Sequence, residues 1–419
     1  MDHLLAKIAL LFALITIPLA FTTDKSQLVP PSTPIAPSFF GMHIHHMVSP
    51  NGTDPLTPWP NIIVPEWRLW DARVTWPDLE PTKGQWRFDN LDKSLKLAET
   101  HNTEVLMTLG LTPRWASARP EEPATQPGVA AEPKDLEDWR TFVRTVATRY
   151  KGRIHAYEIW NEPNVKKFWS GTTDRLLALT REAHNIIKSI DPMAIIVSPS
   201  AAGTDGTPWL SEFLSKGGGQ FVDVIGYHFY VFPESPEAMV PLIRQVRQIL
   251  LNNGAGDKPL WNTESGWAKP KPFPSQALAA SYLARAYILN WAAGVRRFYW
   301  YAWDNHGWVS LETTEQDSRT LTPAGRAYGV IQNWLVGARL DWCNNDTGGT
   351  WICQLTRNEE PEWIVWNPDG TKPFALAPSW KIGPITTLLQ ESRALVGYSV
   401  DVGPVPELLT RVSGPASPK

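Results

Sequence analysis

The sequence predicts an α/β fold, a (β/α)8 TIM barrel followed by a small all-β, sandwich-like module. Eight short apolar runs alternate with stretches of helical period over about 300 residues, which is the spacing of such a barrel. From residue 338 onward the helical period disappears and short alternating runs with Gly or Pro punctuation replace it. A doubly wound sheet is the alternative, but no predicted strand is followed by a Gly-x-Gly-x-x-Gly turn.

The predicted strands are short apolar or aromatic runs, at 39–44, 67–70, 104–109, 155–160, 195–198, 222–230, 259–263 and 297–303. Between or after them lie segments with apolar residues at helical spacing, at 91–100, 136–150, 175–190, 209–216, 236–253, 277–293 and 324–336. Several of these helices begin after a capping residue such as Asp135, and several end at a glycine such as Gly254.

Before the barrel, residues 1–22 contain the one long apolar run, preceded by Lys7. This pattern predicts a signal peptide or an N-terminal membrane anchor: the run is short for a membrane span of about 20 residues, and the cleavage site is poor. Residues 23–37 form a Pro-rich linker, 38–336 the barrel, 337–412 the β module and 413–419 a tail. We therefore expect an exported protein, periplasmic or extracellular, with membrane association if the segment is retained.

The two cysteines, Cys343 and Cys353, flank a turn-forming Asn-Asn-Asp-Thr-Gly-Gly segment. This arrangement predicts a β-hairpin closed by a cross-strand disulfide, in keeping with export. Two buried free thiols are the alternative.

The charge balance argues against a nucleic-acid partner. The chain has 39 Lys and Arg against 42 Asp and Glu, a net charge of -3. Its 22 tryptophans are more than one hydrophobic core needs, and indole faces pack well on sugar rings.

Two glutamates lie at predicted strand ends, where (β/α)8 barrels carry their chemistry. Glu162 stands in an Asn-Glu-Pro segment after the fourth strand, and Glu264 ends the seventh. Two carboxyl groups facing each other across the barrel mouth suit cleavage of a glycosidic bond. The alternative is that each is an ion-pair partner at the rim.

The segments 160–163 (Trp-Asn-Glu-Pro) and 261–264 (Trp-Asn-Thr-Glu) resemble the acid/base and nucleophile motifs of the clan A glycoside hydrolases, which are retaining enzymes on (β/α)8 barrels. Within the clan, the segments 40–45, 67–71 and 226–228 are most similar to family 39 and to bacterial exopolysaccharide-cleaving relatives, including hydrolases encoded in biofilm-matrix operons. The resemblance covers residues 38–336, and a C-terminal β module is also common in that family.

The resemblance implies that Glu162 is the general acid/base and Glu264 the nucleophile. The carboxyls of a retaining pair should lie about 5 to 5.5 Å apart. Asn161 would then bond the sugar 2-hydroxyl, unless its amide only holds the strand-end backbone.

Three further residues are expected near this pair. Arg68 could keep Glu264 ionised, although a plain salt bridge at the rim explains it equally well. His228 and Tyr230 share one face of the sixth strand and could donate hydrogen bonds to either carboxylate. A hydrogen-bonded core histidine is the alternative for His228.

His43 and His45 also share a face, with His46 adjacent. A zinc site is not expected, because no further ligands at metal spacing accompany them, and glycosidic cleavage requires no cofactor. We expect His43 and His45 to bond sugar hydroxyls.

Four tryptophans lie at or just beyond predicted strand ends. Trp303 is expected to form the floor under the sugar at the cleavage point, and Trp115, Trp267 and Trp308 to line neighbouring subsites. For each one alone packing is the better explanation, but for a row of four it is not.

The sequence thus predicts a retaining endo-glycosidase that acts on an extracellular polysaccharide or oligosaccharide. An exo-acting β-xylosidase-like enzyme is the alternative within the same class. A non-catalytic glycan-binding protein or polysaccharide-secretion scaffold is the alternative from another class. The sequence does not indicate the oligomeric state.

Overall fold

The computed structural model describes residues 28, 30–49, 57–395 and 397–412. The predicted signal or anchor segment, the first part of the linker and the tail lie outside the described residues. Among the helices of the described residues, none is both long enough and apolar enough to cross a bilayer.

Nine parallel strands form the central sheet, which confirms the predicted barrel. They are β1 (Phe40–Met42), β2 (Glu66–Leu69), β3 (Glu104–Leu109), β4 (Ala156–Ile159), β5 (Ile195–Val197), β6 (Ala201–Ala202), β7 (Ile225–His228), β8 (Leu260–Ser265) and β9 (Val295–Trp300).

The order of these strands runs β5-β4-β3-β2-β1-β9-β8-β7-β6. The first and last strands of that order are consecutive pieces of one stretch of chain, 195–202, and Val197 also bridges Val224 just before β7. The sheet therefore closes on itself, with β5 and β6 together as the fifth of eight barrel strands.

Eight helices accompany the strands. They are α1 (Trp76–Leu79), α2 (Asp89–Thr100), α3 (Leu136–Arg149), α4 (Thr173–Ile190), α5 (Thr207–Ser215), α6 (Met239–Asn252), α7 (Gln276–Ala292) and α8 (Pro323–Leu335). Most pack one apolar face on the sheet, and side-chain caps such as Asp135 on the amide of Glu137 fix where they begin. Helix α7 is buried over most of its surface, because it lies against α8 and against residues 339–345 of the C-terminal module as well as against the barrel.

Most strand ends differ from the prediction by one to three residues, and two of these differences affect predicted site residues. The sixth barrel strand stops at His228, so Tyr230 lies in the loop that follows, and the eighth stops at Trp300, three residues before Trp303. The backbone amide of Tyr301 still bonds Ser265 and that of Trp303 bonds His43, but the regular ladder has ended. Residues beyond a strand end lose the alternation that aims a side chain into or away from the barrel.

The C-terminal module is antiparallel throughout. Its strands are β10 (Arg339–Asn345), β11 (Trp351–Arg357), β12 (Glu360–Trp366), β13 (Lys372–Ala375), β14 (Ile382–Thr387), β15 (Ser392–Ala394), β16 (Ser399–Val402) and β17 (Glu407–Arg411). A six-stranded sheet, in the order β10-β11-β12-β17-β14-β15, faces the pair β13-β16. A small core that includes Trp363, Ile385 and Val400 joins the two sheets.

Cys343 and Cys353 are directly opposite each other on β10 and β11, with their Cα atoms 4.0 Å apart, and they form a disulfide. Both cysteines are on the face of that sheet that packs on the barrel core. The described part of the linker is also packed: Ile35 is buried and its backbone exchanges hydrogen bonds with Gly337 and Ala338, at the junction of barrel and module.

Candidate active site

The two predicted carboxylates lie together at the barrel mouth. Glu264 is near the end of β8, and Glu162 lies three residues beyond β4. The chain turns out of the strand at Glu162, which has a φ of 42° and donates its backbone N–H to the carbonyl of Ser200. One carboxylate oxygen of each, together with a ring nitrogen of His228, lie within 4.8 Å of one another. This is the close separation that a retaining mechanism needs.

Two donors hold the Glu264 carboxylate. Arg68 Nη1 lies 2.6 Å from Oε2, and the Tyr230 hydroxyl donates to Oε1 at 2.9 Å. Burial raises the pKa of Glu264 to about 7, while the positive charges of His228 and Arg68 oppose that rise and Glu162 adds to it.

Arg68 is fully buried and has more than one anionic partner. Its Nε donates to Glu158 Oε2 at 2.8 Å and its Nη2 donates to Asn161 Oδ1 at 2.8 Å. Glu158 also accepts from the hydroxyls of Thr108 (2.7 Å) and Ser200 (2.6 Å). Although burial alone would raise it, the pKa of Glu158 is held below its usual range, chiefly by Arg68.

His228 lies between the two predicted catalytic groups. Its Nδ1 is 3.0 Å from Glu162 Oε1 and 4.0 Å from Glu264 Oε1. The contact with Glu162 fixes the orientation of that carboxyl group. His228 Nε2 is buried and has no hydrogen-bond partner among the described residues.

Three more buried polar atoms near the carboxylates have no partner among the described residues: Asn161 Nδ2, His43 Nδ1 and His45 Nε2. Burial lowers the pKa of both His43 and His45, so both rings are neutral near pH 7 and can donate or accept. Asn161 does not tie down the backbone, since its carbonyl oxygen accepts from Arg68. Its amide nitrogen is left for another acceptor.

A cation could also contact this site. In the described part of the chain, the residues whose ligand atoms come close enough to share a metal ion are Glu162, His228 and Glu264. His43, His45 and His46 do not form such a group there. His46 instead lies beside Asp304, which accepts the backbone amides of His45 and His46.

The prediction for Trp303 as a sugar floor is wrong. Its side chain is 1% exposed within the main hydrophobic core, and its Nε1 donates to the carbonyl of Ser318. Because β9 ends at Trp300, Trp303 falls where the chain has already turned into the core.

The prediction for Trp267 as a subsite residue is also wrong, whereas that for Trp115 stays a prediction. Trp267 is fully buried, stacked on Trp300, and its Nε1 donates to Glu234. Trp115 packs edge-on against Trp76 and donates to the carbonyl of Glu80, so its contacts belong to the loops after β2 and β3. Trp267 therefore belongs to the core, whereas Trp115 is only partly buried.

Trp308, in contrast, lies at the mouth. It is 39% exposed and contacts the rings of Tyr230 and Tyr301 edge-on, with centroids 5.7 and 5.2 Å away. An exposed indole beside the donor to Glu264 suits contact with a sugar ring.

Two residues of the site, Glu158 and Tyr301, are not among those predicted from the sequence. Glu158 is the charge partner of Arg68, and its signal was available: a glutamate inside an apolar strand must find a buried cation. Tyr301, just beyond β9, contacts the rings of His43 and His45 and donates to Asp71 at 2.7 Å. Finding Tyr301 would have required the true end of β9.

Comparison with known proteins agrees with this geometry. The sequence profile of glycosyl hydrolases family 39 matches residues 81–299, just over half of the chain. The chain belongs to glycosyl hydrolases family 39. It is 23% identical over 231 residues to a β-xylosidase of Geobacillus stearothermophilus, an alignment that covers 48% of this chain and 45% of the relative. The chain thus spans less than half the length of that β-xylosidase, and about a third of the length of a β-xylosidase of Caldicellulosiruptor saccharolyticus.

Solved structures show the same fold. A family 39 glycoside hydrolase from the gut symbiont Bacteroides cellulosilyticus WH2 superposes with a TM-score of 0.73 at 18% identity, over 90% of this chain and 81% of that one. A family 39 β-xylosidase from Caulobacter crescentus superposes with a TM-score of 0.63 at 15% identity, over 91% and 98% of the two chains.

The buried pair of Arg68 and Glu158 should be necessary for stability. Glu158→Gln leaves the guanidinium short of one anion in a buried site, and we expect the free energy of unfolding to fall by about 3 kcal/mol or more. Urea denaturation followed by tryptophan fluorescence measures this. Glu121→Gln, which removes the exposed partner of Arg114, is the control and should leave unfolding nearly unchanged. Equal effects of the two variants would contradict the assignment.

Proposed function

We propose that the protein is a retaining glycoside hydrolase in which Glu264 is the nucleophile and Glu162 the general acid/base. The observation that carries this proposal is the placement of the two carboxylates within 4.8 Å at the barrel mouth, with Arg68 on one and His228 on the other. Family membership supports the reaction class. A non-catalytic glycan-binding protein has no need of this arrangement.

The first step is attack by the Glu264 carboxylate on the anomeric carbon. A bond forms between that carbon and a Glu264 oxygen, the glycosidic C–O bond breaks, and Glu162 gives its proton to the departing oxygen. Arg68 and the Tyr230 hydroxyl keep the attacking carboxylate ionised and oriented.

In the second step Glu162 takes a proton from water, the water oxygen attacks the anomeric carbon, and Glu264 leaves. His228 holds the Glu162 carboxyl throughout, at 3.0 Å. The unpartnered Nδ2 of Asn161 is placed to donate to the sugar 2-hydroxyl, a bond that strengthens in the transition state.

For the substrate, we propose an extracellular polysaccharide cleaved by endo action. The exposed indole of Trp308 and the long loop 110–135 after β3 support a binding surface that extends beyond one sugar. Export is supported by the apolar segment 1–22 and by the disulfide. N-terminal sequencing of the exported protein separates a cleaved signal from a retained anchor.

An exo-acting β-xylosidase-like enzyme is the second candidate. It is favoured by the relatives, one of which is named a β-xylosidase. Others are named endo-1,4-β-xylanases, so xylan belongs in the first substrate panel together with the host's own exopolysaccharide.

Removal of the Glu264 carboxyl group and removal of the Glu162 carboxyl group should both reduce turnover, but with different dependence on the substrate's leaving group. Glu264→Gln should lower kcat by about four orders of magnitude on every substrate, because no glycosyl-enzyme can form. Glu162→Gln should cost about 10²- to 10⁴-fold on substrates with poor leaving groups and less on activated aryl glycosides, where azide should restore rate. Product NMR should show the retained anomer. Glu315→Gln, an exposed site, is the control, and an active Glu264→Gln or an inverted product would overturn the proposal.

The pH dependence of kcat/KM should follow the ionisation of Glu264. Only the ionised carboxylate attacks, so kcat/KM should rise with pH through the Glu264 pKa of about 7. Tyr230→Phe removes a hydrogen-bond donor to the Glu264 carboxylate and so raises the pKa of Glu264. The acid limb of the pH profile of kcat/KM should therefore move up by about one pH unit. Tyr398→Phe, at an exposed position, should leave the limb in place. An unmoved limb in Tyr230→Phe would show that this hydrogen bond does not tune the nucleophile.

Product sizes should distinguish endo from exo action. An endo enzyme releases a range of oligosaccharides, and the viscosity of the polymer falls early, before many reducing ends appear. Chromatography of timed digests and viscometry measure the two effects. Monosaccharide as the sole early product would favour the exo candidate instead.

A further inference from the structure

We infer that the C-terminal β module is part of the active-site scaffold: through Glu237 it positions the loop that carries Tyr230. The inference deepens the proposed function and rests on it. The segment concerned is the β7–α6 loop, residues 229–238, which begins directly after His228 and ends in a short 3₁₀ turn, Pro236–Ala238.

One end of the β7–α6 loop is at the nucleophile. Tyr230 donates its hydroxyl to Glu264, and the residue before the loop, His228, contacts Glu162. Any displacement of this segment therefore changes the hydrogen bonding of one or both carboxyl groups.

The other end of the loop is held by the module. Trp366 Nε1, on β12, donates to Glu237 Oε1 at 2.8 Å, and Arg285 Nη1, on α7, lies 3.4 Å from the same oxygen. Trp366 is fully buried and stacks flat on Trp351, with centroids 5.6 Å apart, so the donor itself is firmly fixed. A hydrogen bond to a carboxylate is strong and directional.

Contacts along the loop connect its two ends. Trp267 Nε1 donates to the carbonyl of Glu234 at 2.8 Å, and Trp267 lies three residues beyond the nucleophile. Phe232 contacts the ring of Tyr230 edge-on. The loop thus bridges the module and the nucleophile through a short series of packed, hydrogen-bonded groups.

A purely structural contact would also bury Trp366, but it would affect stability alone. Loss of a positioning contact would also change the ionisation of Glu264, the carboxylate to which Tyr230 donates. The pH profile of kcat/KM separates the two cases, because it reports the ionisation of Glu264 in whatever fraction of protein remains folded.

The test compares two buried indoles of the module in the full chain. Trp366→Phe keeps most of the ring but removes the donor to Glu237. Trp363→Phe is the matched control, because Trp363 packs between the module's two sheets and its Nε1 has no hydrogen-bond partner among the described residues. We expect Trp366→Phe to lower kcat/KM about tenfold and to move the acid limb upward, in the direction of Tyr230→Phe. Trp363→Phe should lower the thermal midpoint but leave the limb unchanged.

A second pair of variants keeps the test decisive if Trp366→Phe folds poorly. Glu237→Leu removes the acceptor for Trp366 and should shift the acid limb, whereas Glu234→Gln, an exposed side chain on the same loop, should keep the wild-type limb. In the double variant Trp366→Phe with Tyr230→Phe, the limb should move no further than in Tyr230→Phe alone.

The inference is overturned if Trp366→Phe and Trp363→Phe have the same pH profile of kcat/KM. It is also overturned if, in the double variant, the shift of the acid limb caused by Trp366→Phe adds fully to the shift caused by Tyr230→Phe. An active Glu264→Gln overturns the proposed function as well. If Glu264→Gln is inactive but the two indole variants have identical pH profiles, the proposed function stands and only the positioning role of the module is refuted.

Discussion

The structure of the site depends on one buried cation. Arg68 lies inside the barrel, away from water, and burying a guanidinium without anions would cost several kcal/mol. Its bonds to Glu158, Asn161 and Glu264 offset that cost and join β2 to β4 and β8. The position of the proposed nucleophile and the integrity of the barrel therefore depend on the same contacts.

The two carboxylates that share Arg68 differ in their other neighbours. Glu158 also accepts two hydroxyl hydrogen bonds, and its pKa is held low, so it remains a fixed anion. Glu264 has one hydroxyl donor and lies beside Glu162, and burial raises its pKa to about 7. Different neighbours thus make one carboxylate a permanent counter-ion and leave the other able to react.

The sequence was sufficient for the parts of the site that depend on strand periodicity. Arg68, His228 and Glu264 could be predicted because they lie on strands, where alternation decides which way a side chain points, and Glu162 could be predicted from its Asn-Glu-Pro segment at a strand end. Trp303 and Trp267 could not, because they lie in loops, where packing and not periodicity sets direction. Tyr301 could not be predicted for the same reason, because it lies beyond the end of β9. The barrel and the β module were predictable from the change of period at residue 338, but the bond from Trp366 to Glu237 joins residues 129 apart and has no local signal.

The packed end of the linker has a consequence for how the enzyme would sit in the cell. Ile35 is fixed beside Ala338, and β1 begins five residues later, so the chain enters the barrel at the end opposite the carboxylates. A tether attached at that end, whatever it is fixed to, leaves the opposite face of the barrel uncovered. Long glycans can then approach Glu162 and Glu264 from the side away from the attachment point.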